Sequence, residues 1–144
     1  MDKIIHIGSD HGGFDLKGKL SAALTVKGYT VNDLGTFSED SVDYPVFGKK
    51  VAEAVLKDGS FGIIICGTGI GISIAANRFK GIRAALCHCS EYAKLAREHN
   101  DANILALGGR FMDFKTAEEI TDVFLKTEFL GGRHKRRVDL LDNI

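Results

Sequence analysis

Strand-like and helix-like segments alternate five times along this 144-residue chain. That alternation predicts an α/β protein, a three-layer sandwich around a five-stranded parallel sheet with Rossmann- or flavodoxin-like topology. Two further observations agree. Gly62-Ile63-Ile64-Ile65-Cys66 is an unbroken apolar run, as expected of a strand covered on both faces. Glycine-rich turns also follow predicted strands, at the end of the sheet where such folds bind ligands.

The elements follow in order. Ile4 to Gly8 is the first strand. Leu16, Leu20, Ala23 and Leu24 form the apolar stripe of a helix, which Gly28 ends as a C′ glycine. Tyr29 to Leu34 is the second strand, followed by a polar loop to Asp43. Pro45 suits a helix first turn, and Phe47, Val51, Ala54 and Val55 continue that helix's stripe. Gly62 to Cys66 is the third strand, then a glycine loop and a short helix. Arg83 to Cys87 is the fourth, with Tyr92, Leu95, Ala96 and His99 on one face of the next helix. Asn103 to Leu107 is the fifth, and Ala117, Ile120 and Phe124 mark a long last helix. Gly131-Gly132 then breaks the pattern before a basic, then apolar, tail.

Length favours one domain over residues 1–144, with the tail from about 128 to 144 packing on its own domain or on a partner subunit. With 44% hydrophobic and 26% charged residues the chain is not disordered. Nineteen basic residues against nineteen acidic ones argue against a general nucleic-acid binder. No apolar run reaches the ~18–20 residues of a membrane span, and the N-terminus lacks the blocks of a signal peptide. Cys66, Cys87 and Cys89 do not form a disulfide framework. Cys87-His88-Cys89 has no second ligand pair to complete a zinc site, so small apolar side chains at a strand end are the simpler reading. A cytoplasmic protein with reduced thiols and no metal is expected. Seventeen glycines and one proline suggest backbone drawn close to a ligand at tight turns.

The strand ends carry the chemistry. Gly67-Thr68-Gly69-Ile70-Gly71 can bind an anion through its amides and the following helix N-terminus, or can simply be a turn that needs positive φ. Cys66 precedes it. Donor groups at a helix N-terminus favour a thiolate, suited to covalent attack or proton abstraction; the alternative is a buried, inert thiol. His11 and His99 are the candidate proton carriers, although His99 could be a core histidine. Asp10 could orient His11, bind a hydroxyl or cap a helix. Arg110 and the cluster Arg133-His134-Lys135-Arg136-Arg137 suit a phosphate dianion, or form a solvated charged face. A flavodoxin-like order would set Asp10-His11 and Cys66 to Gly69 across one crevice.

Gly8-Ser9-Asp10-His11-Gly12-Gly13, Asp43-Tyr44-Pro45, Cys66 to Asn77, Gly81-Ile82-Arg83-Ala84, Arg97 to Asn103 and Gly131-Gly132-Arg133-His134 together resemble the ribose-5-phosphate isomerase B family, in order along almost the whole chain. The resemblance implies an aldose–ketose isomerase working through a cis-enediolate, without metal or cofactor. It casts Cys66 as the base, Thr68 and the Gly67–Gly71 amides as enediolate stabilisers, and His99 as the ring-opening acid. Asp10, His11 and Tyr44 would lie near the sugar, and Asn100 would hold it. Arg110, Arg133 and Arg137, with His134 close by, would bind the phosphate. The family's dimers combine residues of two subunits in each site, so a homodimer, or a dimer of dimers, is implied. Relatives acting on galactose 6-phosphate or allose 6-phosphate keep a six-carbon substrate open. A non-catalytic phosphate-binding module is the remaining alternative.

Overall fold

The computed structural model describes residues 3–144; Met1 and Asp2 lie outside the described residues. The chain forms β1 (Ile4–Ser9), α1 (Phe14–Val26), β2 (Thr30–Asp33), α2 (Tyr44–Asp58), β3 (Phe61–Cys66), α3 (Ile70–Asn77), β4 (Ala84–Leu86), α4 (Ser90–Asn100), β5 (Ile104–Gly108), α5 (Phe114–Lys126) and α6 (Arg133–Asp142). All five strands run parallel, in the order β2-β1-β3-β5-β4. From β1 the chain goes one way to β2 and then the other way to β3, so strand order reverses between β1 and β3, as expected. The last two strands are exchanged relative to a flavodoxin-like order. Burial explains why: every residue of β5 is buried and occupies the sheet interior, whereas the three residues of β4 are half-buried at the edge.

Alternation along the strands divides the side chains between two cores. Ile5, Ile7, Ile63, Ile65, Leu105 and Leu107 meet α1, α4 and α5 on one face. Ile64, Cys66, Ile104 and Ala106 meet α2 and α3 on the other. Helix α1 ends as the sequence predicts. The amide of Gly28, at φ +96°, donates to Thr25 and that of Tyr29 to Leu24, the paired bonds of a Schellman cap. In α2 the buried stripe runs through Ala52, while Ala54 is only half-buried. In α4 the core takes Ala93, Ala96 and Arg97, so Tyr92 and Leu95 face outward. Periodicity alone does not distinguish two neighbouring helical faces when the small residues sit on one and the large ones on the other.

Two polar devices are buried in this frame and a third lies exposed at its edge. His6 accepts from Asn32 at Nδ1 (2.9 Å) and donates from Nε2 to Asp58 (2.8 Å). Lys17, fully buried in α1, donates to both carboxylate oxygens of Asp33, with the Phe14 and Phe37 rings over its ammonium. This pair pins the loop whose Gly35 and Thr36 bond to the backbone of Ser9, immediately before Asp10. At the edge, the Asn77 carboxamide accepts from the Ala84 amide (2.7 Å) and donates to its carbonyl (2.9 Å). Helix α6 lies outside the three layers. It buries Val138, while Leu140, Leu141 and Ile144 remain exposed.

Candidate active site

Three strand-end turns converge beyond the carboxyl edge of the sheet. Asp10 follows β1, and its Oδ1 accepts from the amides of Gly12 (2.9 Å) and Gly13 (3.2 Å). It therefore caps the short 3-10 turn His11–Gly13 and keeps Oδ2 for another partner. The Nδ1 of His11 accepts from the Val42 amide (3.1 Å), so the neutral ring carries its proton on Nε2.

Cys66 ends β3 on the α2–α3 side, almost fully buried, and its Sγ accepts from the Gly69 amide at 3.2 Å. The sulfur thus sits at the N-terminus of α3, where amide N–H groups concentrate positive partial charge. Gly69 holds that turn at φ +79°, and a Cβ there would come within 2.6 Å of Leu86 and 2.8 Å of the Leu107 backbone. Thr68 Oγ1 accepts from the Ile70 amide (3.1 Å), which leaves its O–H free to donate. A Cβ on Gly71 would stand 2.6 Å from the Tyr44 ring, so this glycine lets Tyr44 lie over the loop. Arg110 follows β5 with its amide bonded to the Gly67 carbonyl (3.0 Å), and its guanidinium lies over Gly67. The turns of Asp10–Gly12, Cys66–Gly71 and Arg110, with Tyr44, thus adjoin one another beyond the ends of β1, β3 and β5.

The remaining predicted residues lie at the opposite edge. Helix α4 carries the chain back from the carboxyl edge, so His99 and Asn100 precede the start of β5. Ile104 pairs with Gly62 and Gly108 with Cys66, which sets the two levels about 13 Å apart along the strands. His99 is stacked on His134, with ring centroids 4.3 Å apart and an interplanar angle of 12°. Loss of solvation, together with His99, Arg133 and Arg137, holds the His134 imidazole below its usual pKa against an opposing pull from Glu98. Arg133 and Arg137 lie one turn apart on α6, both exposed and free of ion pairs among the described residues.

Sequence reasoning missed the groups that hold this second cluster. Arg97 is buried, with its guanidinium 4.6 Å from the Phe61 ring centroid, and donates to the Ala102 and Thr127 carbonyls and to Asp101. The Arg97-Glu98-His99 order gives no sign that the arginine turns inward. Cys87 packs into the α1–α4–α5 core, where burial pushes its thiol up to about 12, while Cys89 is half-buried at the start of α4.

A thiol and a glycine loop thus stand at the switch point of a parallel α/β sheet, and exposed arginines lie on a separate helix. The ribose/galactose isomerase family model matches residues 5–141, and the chain belongs to that family of isomerases. It is 47% identical to ribose-5-phosphate isomerase B of Escherichia coli K12 over 145 residues, covering 99% of this chain and 96% of that protein. The crystal structure of a ribose 5-phosphate isomerase from Thermotoga maritima superposes with a TM-score of 0.97 at 52% identity, over the full length of both chains. The enzyme from Mycoplasma genitalium, solved with ribulose-5-phosphate bound, gives 0.95 at 44% identity and covers 99% and 96% of the two chains.

Proposed function

We propose that this chain interconverts D-ribose 5-phosphate and D-ribulose 5-phosphate as a homodimer, or a dimer of dimers, of single-domain subunits. The observation that carries the reading is the Cys66 sulfur at the amide-lined turn Gly67–Gly71, in a chain of this isomerase family. The Cys66 thiolate removes the proton from C2 of the open-chain aldose. The electron pair forms the C1–C2 double bond, and negative charge moves onto the carbonyl oxygen. That oxygen meets the Thr68 hydroxyl and the loop amides, donors fixed before charge develops. The proton returns to C1 while a hydroxyl proton passes from O2 to O1, which gives the ketose. No cofactor or metal enters this sequence.

Because His99 lies at the wrong edge for its own chain's Cys66, the site is completed by a second copy. That copy supplies His99 for ring opening, Asn100 for the sugar, and Arg133, His134 and Arg137 for the phosphate. Asp10, His11, Tyr44 and Arg110 come from the chain that carries Cys66. The outward face of α4 supports such pairing: Tyr92, Leu95 and Asn100 line an open groove of about 470 Å3 against β4. The family also includes galactose isomerases, so the test compares substrates. kcat/KM is measured on ribose 5-phosphate, allose 6-phosphate and galactose 6-phosphate with EDTA present. Preference for ribose 5-phosphate is expected. Preference for a six-carbon sugar would keep the mechanism and change the substrate, and silence on all three would overturn the isomerase reading.

A further inference from the structure

Arg83 belongs to neither cluster, yet it joins two segments of the second one. Its Nη1 donates to both carboxylate oxygens of Asp142 at 2.9 Å, and its Nε donates to the Asp101 carbonyl at 3.0 Å. Its Nη2 lies 3.6 Å from the Asp101 carboxylate. Asp101 follows Asn100 directly and closes α4 in the left-handed region, at φ +46° and ψ +44°. That conformation is uncommon for a residue with a Cβ. The Asp101 carboxylate is gripped from the other side by buried Arg97 at 2.8 Å. Asp142, in turn, is the last residue of α6, the helix that carries Arg133, His134 and Arg137.

The near end of α6 is tied to the same stretch by different groups. His134 stacks on His99, and the Leu130 amide donates to the Glu98 carbonyl at 3.1 Å. Val138 is buried between the two ends. The helix of phosphate-binding arginines therefore rests on the His99–Asn100–Asp101 corner at both ends, and Arg83 is its far anchor. A guanidinium suits this task because its planar fork can hold a carboxylate and a carbonyl at once, which an ammonium cannot do with fixed geometry.

We propose that Arg83 is a positioning residue that, through Asp101 and Asp142, fixes the spacing between His99 and the arginines of α6 so that one sugar phosphate meets both. This rests on the isomerase reading above. The test uses the full-length protein and the variants Arg83→Gln, Asp142→Asn, Asp142→Glu and the double variant Arg83→Gln/Asp142→Asn. KM for ribose 5-phosphate, the inhibition constant of inorganic phosphate, kcat and Tm are measured for each. KM and the phosphate inhibition constant are expected to rise together by about tenfold in each neutralised single variant. kcat stays within about threefold, Asp142→Glu lies near wild type, and the double variant is no worse than the singles, as for two halves of one interaction.

Unchanged KM and inhibition constants alongside a lowered Tm would overturn the proposal, as would additive losses in the double variant. Should Arg83→Gln fail to fold, Asp142→Asn decides alone, since that side chain is 33% exposed near the chain terminus. A wild-type protein inactive on ribose 5-phosphate would sink the proposed function instead. Calorimetric titration of the same variants with inorganic phosphate would then still decide the role of Arg83.

Discussion

The roles proposed for Cys66 and His99 are separable, and two substitutions test them one at a time. Cys66→Ala removes the proposed base but leaves the loop amides, Thr68 and Arg110 in place. Turnover is expected to fall by about 10²–10⁴-fold, while calorimetry still detects sugar phosphate binding. Loss of binding along with turnover would assign the sulfur a binding or structural role. His99→Asn should cost much more on cyclic ribose 5-phosphate than on an aldose phosphate too short to close a furanose ring. Equal losses would remove His99 from ring opening. At this scale the sequence was informative because residue type and position after a strand are local properties: Asp10, Cys66, Thr68 and Arg110 all lie where strand-end logic puts them. Arg97 and Lys17 were illegible, since only the folded chain reveals the Phe61 ring or the Asp33 carboxylate that admits a buried cation.

Among elements, α6 and the β1–β2–α2 junction make different predictions. Exposed Arg137 has no acidic partner among the described residues, so Arg137→Ala should leave Tm nearly unchanged. Its expected effect is a rise in KM worth about 1.5–3 kcal/mol, the range of a hydrogen bond to a charged group. An unchanged KM would make it plain surface charge. At the junction, burial pushes the Asp58 carboxyl up, but the Ser60 amide and the His6 ring outweigh it and hold the group below its ordinary 3.8. A lowered carboxyl pKa stabilises the fold above the unfolded value and stops doing so as pH falls through the folded one. Asp58→Asn should therefore lower Tm at neutral pH, and the two melting curves should converge once pH drops well below 3.8. A gap that persists there would point to packing instead of charge. The strands and most helix ends were readable from apolar runs, glycine and proline, as the Gly28 cap illustrates. The buried face of α4 was not, because alanines supply little periodic signal beside Tyr92 and Leu95.

The whole molecule raises the question of whether a site is made by one chain or two. Cys66→Ala and His99→Asn proteins, each inactive alone, are to be mixed under conditions that exchange subunits. In a two-fold dimer each hybrid contains one doubly impaired site and one intact site, so about a quarter of wild-type activity should return. No recovery, with exchange verified by mass spectrometry, would mean that both residues serve the same chain. Sequence patterning conveyed the layers and the switch point but not the β5–β4 exchange, because the order of non-adjacent strands depends on which run is apolar enough to be enclosed. Nor could it place His99 and Cys66 at opposite edges before the direction of α4 was known.

The Asn77 carboxamide has a consequence for how copies can meet. An edge strand offers a free amide and carbonyl to any neighbouring strand. At Ala84 both are already taken by a side chain shaped like a peptide unit. Growth of the sheet from one subunit into the next is blocked at the first rung of the β4 edge, where a neighbouring copy is left to meet the helices and the grooves between them. Two molecules that share a site as proposed would then trade groups across their surfaces without merging their backbones at that edge.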